Sequence, residues 1–415
     1  MGEMVSISIG SYDFLSYKNT FGDLLTPFCM ADLHIEPDTI DGEKFTKRYF
    51  STTVKKAKIC LDALGYTLEV SKKTFEKCKQ EKVEFASEYP RTDDFSAEKL
   101  KIDFTYKNWC KTAQYFARIL SNDHFQIQNC KYIDLERQRL LPHTLTEQIV
   151  LSSLPFGSET FFGIDCEFAS WEIFRVLLDA FDDDQKIILD YTNLYEGGWC
   201  SEIPEQEIWD VPKTIILTEG KYDAAVISQA MDILYPYMSK FYSFMDFSLA
   251  NVQGSANFLT HYLKAFIGAK IQNRIIALYD NDAAGLSEIM SLGSITVPTN
   301  VRVLHLPDIK LCNAYPTIGP TINEDANING RACSIELFLG HDVLVSEGNL
   351  VPIMWTGYNE KTKSYQGTIT HKGDIQKRFD NKILCAKENG ISDSQNWEEL
   401  DILLNYIFAA FQNTK

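Results

Sequence analysis

The ten cysteines of this chain include no C-x-x-C pair, which argues against a zinc ribbon and against a disulfide scaffold, so they read as reduced thiols. No stretch reaches the ~18 uncharged apolar residues that a membrane span requires, and no membrane association is expected. The opening MGEMVSISIG carries Glu3 and lacks a basic region ahead of a long apolar run, so it does not read as a secretory signal, and the expectation is a cytoplasmic protein. The G-x-x-x-x-G-K-[ST] pattern is missing, so any ATPase would have to be a separate partner. No internal repeat or low-complexity tract is visible. Positive charge is scarce: 40 basic against 57 acidic residues give a net charge of -17, a field that repels nucleic acid and argues against a passive coat protein. It does not exclude an enzyme acting on phosphodiesters, because bound cations and local basic runs can invert the field at a site. Lys55, Lys56 and Lys58, and Lys72, Lys73, Lys77 and Lys79, are such runs, read as solvated helix faces.

What is present is enough apolar material for a core: 415 residues with 45% hydrophobic and 13% aromatic side chains. At roughly 100–200 residues per domain this suggests two to four units. Residues 1–90 open on the alternating VSISIG and continue to a helical period at Val54, Ile59, Leu61 and Leu64 that Gly65 stops. Residues 91–210 form a helical and mixed connecting region around Trp109, Tyr115 and Phe116, ending with the strand-like KIILDYTNL. Residues 211–345 alternate short β-rich runs with helical segments. Strands are expected at 213–218, 241–247, 274–279 and 301–306, and helices at 223–234 and 256–267. That order implies an α/β fold, a mostly parallel sheet flanked by helices with ligands at the carboxyl ends of its strands. Residues 346–415 are a C-terminal extension whose WEELDILLNYIFAAF has an apolar helical face, expected to pack on its own chain, and whose aromatics could stack on unpaired bases.

Acidic residues stand at those strand ends. Glu219 follows the first strand in TEGKYDA, where Gly220 permits a tight turn and Asp223 lies in the first helical turn. Asp280 ends the third strand and Asp282 follows in YDNDAAG. If the two strands are neighbours, the four carboxylates converge. Such a cluster is unfavourable unless protons or cations neutralise it, and hard oxygen donors suit Mg2+ or Mn2+. Lys221, one residue past Gly220, is placed either to reach a phosphate or to point to solvent.

E-G-x-x-D after one buried strand and D-x-D after another resemble the signature of the Toprim fold of topoisomerases, bacterial primases, OLD-type nucleases and some ribosomal RNA maturases. The Gly254-Ser255 loop resembles the small-residue loop of many Toprim domains, which implies substrate binding there. Ser334-Ile335-Glu336-Leu337 resembles the extra glutamate motif of the nuclease branch and implies Glu336 as a further metal ligand. MGEMVSISIGSYDFLSYKN, ALGYTLEVSKKTF, SFMDF, AYPTIGP, NGRACSIELFLG and WTGY together are similar to the bacterial HEPN/Toprim-associated domain proteins over nearly the whole chain, with residues 1–90 as the associated N-terminal domain. The resemblance implies a role in conflict with phages, and a metal-dependent nuclease in which Glu219, Asp280 and Asp282 are catalytic and Glu219, Asp223, Asp280, Asp282 and Glu336 hold Mg2+ or Mn2+. Glu219 stays open as ligand or general acid/base. The partners implied are a DNA or RNA substrate, an activating protein and a second copy of the chain. A ribonuclease of the HEPN type would need an arginine and a histidine four to six residues apart on a helix, and Arg118 and His124 have that spacing. The reading from another class is a non-catalytic binding or scaffolding subunit of a defence complex.

Overall fold

The computed structural model describes all residues except 1, 41–42, 90–94, 123–143, 154–159, 166–169, 206–212, 246–253, 320–322 and 413–415. The fold is mixed α/β and divides into two compact units, Met1–Asp210 and Val211–Asn413. Among the described residues no helix is long and apolar enough to cross a membrane.

The first unit is built on a five-stranded antiparallel sheet. Its spatial order is Tyr12–Lys18, Met4–Ile9, Lys186–Asp190, Glu43–Thr53, Leu33–Ile40. The alternation in MVSISI buries Val5, Ile7 and Ile9 and leaves Ser6 and Ser8 on the other face. The central strand ends at Asp190, earlier than KIILDYTNL suggested. The Asp190 Oδ1 accepts the Thr192 N–H at 2.9 Å, and the chain turns there into the short helix Thr192–Glu196. Between the strands the chain runs through helices that include Val54–Leu64, Leu68–Glu88, Tyr106–Leu120 and Ser170–Leu177. Threonine hydroxyls cap the first three at Thr53, Thr67 and Thr105, and Gly65, at φ 90°, ends the first. Their apolar faces meet in a core in which Trp109 packs on Phe75 and donates its indole N–H to the Phe162 carbonyl. The lysine runs lie on the first two helices. Lys58 pairs with Asp179 and Asp183, Lys73 with Glu69 and Lys77 with Glu81, as surface ion pairs of small energetic weight.

The second unit contains a parallel sheet in the order Val301–His305, Ile275–Tyr279, Thr214–Thr218, Tyr242–Phe244. Every residue of Ile275–Tyr279 is buried, as expected of a central strand covered on both faces. Helices Lys221–Leu234, Ala256–Gly268 and Ala283–Ser291 connect the strands. The first begins two residues before its expected start, because Gly220 rather than Tyr222 is its cap. A mixed sheet, in the order Asn323–Ala326, Tyr315–Ile318, Ile353–Asn359, Ser364–Ile369, carries a two-stranded ribbon at one edge. The helix Lys372–Asn389 follows it. The last helix, Glu398–Phe408, packs on its own chain: Phe408 meets the rings of Tyr235 and Tyr242.

Candidate active site

The two acidic motifs meet because the strands that carry them are paired in register, Leu278 beside Thr218. One residue on, Glu219 reaches across the strand ends, and its Oε1 accepts the backbone N–H of Asp280 at 2.9 Å. Gly220 donates its N–H to Asp223 Oδ2 at 2.8 Å, which fixes Asp223 in the first helical turn. Beyond Asp280 the chain does not enter a free loop. Asn281 and Asp282 pair antiparallel with Cys333 and Ala332, and Asp282 Oδ1 then caps the next helix by accepting the Gly285 N–H at 2.7 Å. The same pairing delivers Ser334 and Glu336 to the cluster. Glu336 is fully buried, accepts from Ser334 Oγ at 2.7 Å and from Gln376 Nε2 at 3.1 Å, and forms a 2.9 Å ion pair with Lys372.

The electrostatics are those of crowded carboxylates. Burial, opposed by the Asp280 N–H and reinforced by the charges of Asp282 and Asp223, pushes Glu219 up to about 8. Burial and the charge of Glu336 push Asp223 up to about 6. Asp280 is raised well above the usual carboxylate range, first by burial and then by Glu219, Asp223, Asp282 and Glu336. Burial raises Asp282 too, against the N–H groups of Gly285 and Ala284. Lys372 answers this field: burial works to lower its pKa, but Glu336, Asp280 and Asp223 hold it above its ordinary value.

Among the described residues no group of three or more His, Cys, Asp and Glu side chains is arranged to hold a metal ion by itself. The hydrogen bonds explain why, since Asp282 and Glu336 are engaged by protein donors and the lysine ammonium already sits on Glu336. Among the described residues, both oxygens of Asp280 and Oε2 of Glu219 have no donor. This donor set fits magnesium, which keeps several waters and needs only one or two carboxylates plus a substrate phosphate, better than it fits an ion that demands a closed protein cage.

Residues 1–213 match the family described as HEPN/Toprim N-terminal domain 1. The chain belongs to that family. The resemblance read over nearly the whole sequence is thereby established for the first 213 residues of this HEPN/Toprim protein, and the carboxylate cluster lies beyond them. No curated protein and no solved structure matches the chain.

The other candidate residues divide by what their side chains touch. Lys221 is exposed at the first position of its helix and has no ion-pair partner among the described residues. Gly254 lies against the backbone beneath the site: a Cβ there would stand 2.5 Å from the Glu219 carbonyl oxygen. Ser255 Oγ accepts the Phe258 N–H at 3.3 Å and caps its own helix. Arg118 donates through Nε and Nη2 to the Ala180 carbonyl, a structural contact, and His124 lies outside the described residues.

Spacing along the sequence did not point to Lys372, Gln366, Gln376 or Asn281. Gln366 donates to Asp282 Oδ2 at 3.4 Å, and the buried Asn281 ties the acidic strand to Asp308 and to the Gly330 N–H. Gly285 carries a signal that was there to be read, three residues after Asp282 in DNDAAG. A Cβ on it would meet the Asp280 carbonyl oxygen at 2.4 Å and Glu219 Oε1 at 3.1 Å.

Proposed function

We propose that residues 211–345 form a Toprim-type catalytic domain, with 346–415 as its extension, that hydrolyses nucleic-acid phosphodiester bonds with a divalent cation in bacterial defence against phages. The observation that carries this reading is the carboxylate of Asp280: it is partly buried, crowded by four other carboxylates, and accepts no hydrogen bond from the described residues. A desolvated carboxylate with no donor, crowded by like charges that the nearby Lys372 ammonium does not cancel, is a cation ligand in waiting.

A bound Mg2+ or Mn2+ supplies an activated water and charge stabilisation at the phosphate. Asp280 would be the main ligand of such a cation, with Asp282, Asp223 and Glu336 available around it. Glu219, held near neutral pH by its surroundings and anchored through Oε1, is the group that moves a proton at Oε2, which favours the acid/base role over the ligand role. With a cation on Glu336, the Lys372 ammonium would be free for a substrate phosphate, and Lys221, exposed at a helix N-terminus, would meet the same backbone. Gly254 and Ser255 support the turn under Glu219 rather than binding substrate through their side chains.

The test is incubation of the purified protein with labelled supercoiled DNA, single-stranded DNA and transfer RNA, each with Mg2+, Mn2+ or a chelator, beside Asp280→Ala. Metal-dependent products that disappear in a folded Asp280→Ala protein support the hydrolase, and plaque counts on cells carrying either form test the defence role. Cleavage and protection that survive the substitution would leave a binding or scaffolding subunit instead.

A further inference from the structure

The ribbon formed by Ile353–Asn359 and Ser364–Ile369 changes character along its length. Ile353 and Ile369 face each other and are buried at its base. Towards the tip, on the same face, Trp355 is half-buried, and Tyr358 and Tyr365 stand opposite each other with 56% and 57% of their surface exposed. The tyrosine ring centroids lie 5.3 Å apart at 72°, and Trp355 and Tyr365 are 6.4 Å apart at 61°, so ring faces remain open to solvent. Between the two tyrosines the turn carries Lys361 and Lys363 against one acid, Glu360; all three are exposed and none is ion-paired among the described residues. In a chain of net charge -17, a turn with two lysines against one glutamate, flanked by open aromatic rings, carries a local excess of positive charge.

Scattered exposed aromatics need no explanation, but three in contact with free cations between them match the requirements of unpaired bases and their phosphates. The ribbon is also joined to the candidate site. Gln366 emerges on the opposite face and reaches Asp282, and Asn359 Nδ2 donates to the Ala283 carbonyl at 3.1 Å.

We infer that Trp355, Tyr358 and Tyr365, with Lys361 and Lys363, form a stacking platform for single-stranded nucleic acid that feeds the carboxylate site, an inference that rests on the proposed hydrolase for the use of the site but not for the binding. A duplex has no bases free to stack and is bound by the lysines alone.

The test is fluorescence anisotropy in chelator, where no cleavage competes, with labelled oligonucleotides of about 16 nucleotides: single-stranded DNA, the same sequence in RNA, and the duplex. The single strands bind at least tenfold more tightly than the duplex, and the tighter of DNA and RNA names the substrate. Tyr358→Ala with Tyr365→Ala removes at least tenfold of single-strand affinity and leaves duplex binding unchanged, while Tyr358→Phe with Tyr365→Phe retains it. Lys361→Gln with Lys363→Gln lowers the slope of log affinity against log salt by ~1.4, a readout that stands even if the alanine variant fails to fold. Equal affinity for single strand and duplex, an alanine variant that folds and binds like the parent, or an unchanged salt slope would overturn the platform. Tyrosine-dependent binding without any metal-dependent cleavage would keep the platform and sink the hydrolase. Asp280-dependent cleavage indifferent to both tyrosines would do the reverse.

Discussion

Glu219 Oε1 accepts the backbone N–H of Asp280 at 2.9 Å, which ties the end of one strand of the parallel sheet to the end of its neighbour. The bond orients Glu219 and leaves Oε2 without a donor among the described residues. It also opposes the rise in pKa that burial imposes on Glu219, yet burial still wins.

Replacing Glu219 by Gln keeps an acceptor for the Asp280 N–H and removes the proton. If Glu219 moves a proton rather than holding the cation, Glu219→Gln binds Mn2+ like the parent and loses roughly 10²–10⁴ in cleavage rate. Paired measurement of metal affinity and single-turnover rate checks this. Loss of metal binding in Glu219→Gln would make it a ligand.

Gly285 lets the acidic strand and the following helix approach closely. Gly285→Ala places a methyl group 2.4 Å from the Asp280 carbonyl oxygen and 3.1 Å from Glu219 Oε1, so the backbone has to move. Overpacking of this kind costs about 1–3 kcal/mol, and displacing two site residues should cost cleavage more than tenfold. Chemical denaturation and cleavage assays on one preparation separate the two effects, and unchanged cleavage would contradict the geometry.

The raised carboxylates make stability depend on pH with a definite sign. An unfolded glutamate releases its proton near pH 4.5, whereas folded Glu219 does so near 8; Asp223 shifts from 3.8 to about 6. Within those windows the folded chain holds protons that the unfolded chain does not, so stability falls as pH rises through them. Mg2+ replaces the protons and recovers more stability at about pH 8.5 than at about pH 6. Thermal unfolding with chelator or Mg2+ at the two pH values checks this, at about 2–4 °C per kcal/mol for a unit of this size. A Mg2+ effect independent of pH would contradict it.

Lys372 is half-exposed and Glu336 fully buried, so the pair is asymmetric. Lys372→Met leaves Glu336 with hydrogen bonds from Ser334 and Gln376 but no cation. Without metal the variant loses about 1–2 kcal/mol, less than a fully buried pair would, and saturating Mg2+ restores most of the difference. Denaturation with and without Mg2+ reads both numbers; a variant as stable as the parent in chelator would show that Lys372 does not balance the cluster.

Much of the parallel sheet was legible because its evidence is local. The apolar IIALY after Arg274 reads as a buried strand, and acidic residues directly after it and after KTIILT place carboxylates at the strands' carboxyl ends. The first unit was harder: Ile187 pairs with Thr52 and Asp190 with Ser6, partners more than a hundred residues away, so a strand could be read from KIILD but its central place could not. Lys372 and Gln376 reach Glu336 from a helix whose sequence shows only its own amphipathic period. Arg118 had the spacing of a catalytic pair, yet its guanidinium is bonded to the Ala180 carbonyl, a contact made across 62 residues that spacing could not reveal.

Binding of Mn2+ by the purified protein, followed by electron paramagnetic resonance without nucleic acid, tests the central claim most directly. The account predicts saturable binding in the parent that is lost in a folded Asp280→Asn protein, because Asp280 is the carboxylate with no donor of its own. Equal Mn2+ binding by parent and Asp280→Asn, or none by either at millimolar metal and about pH 8, would contradict it.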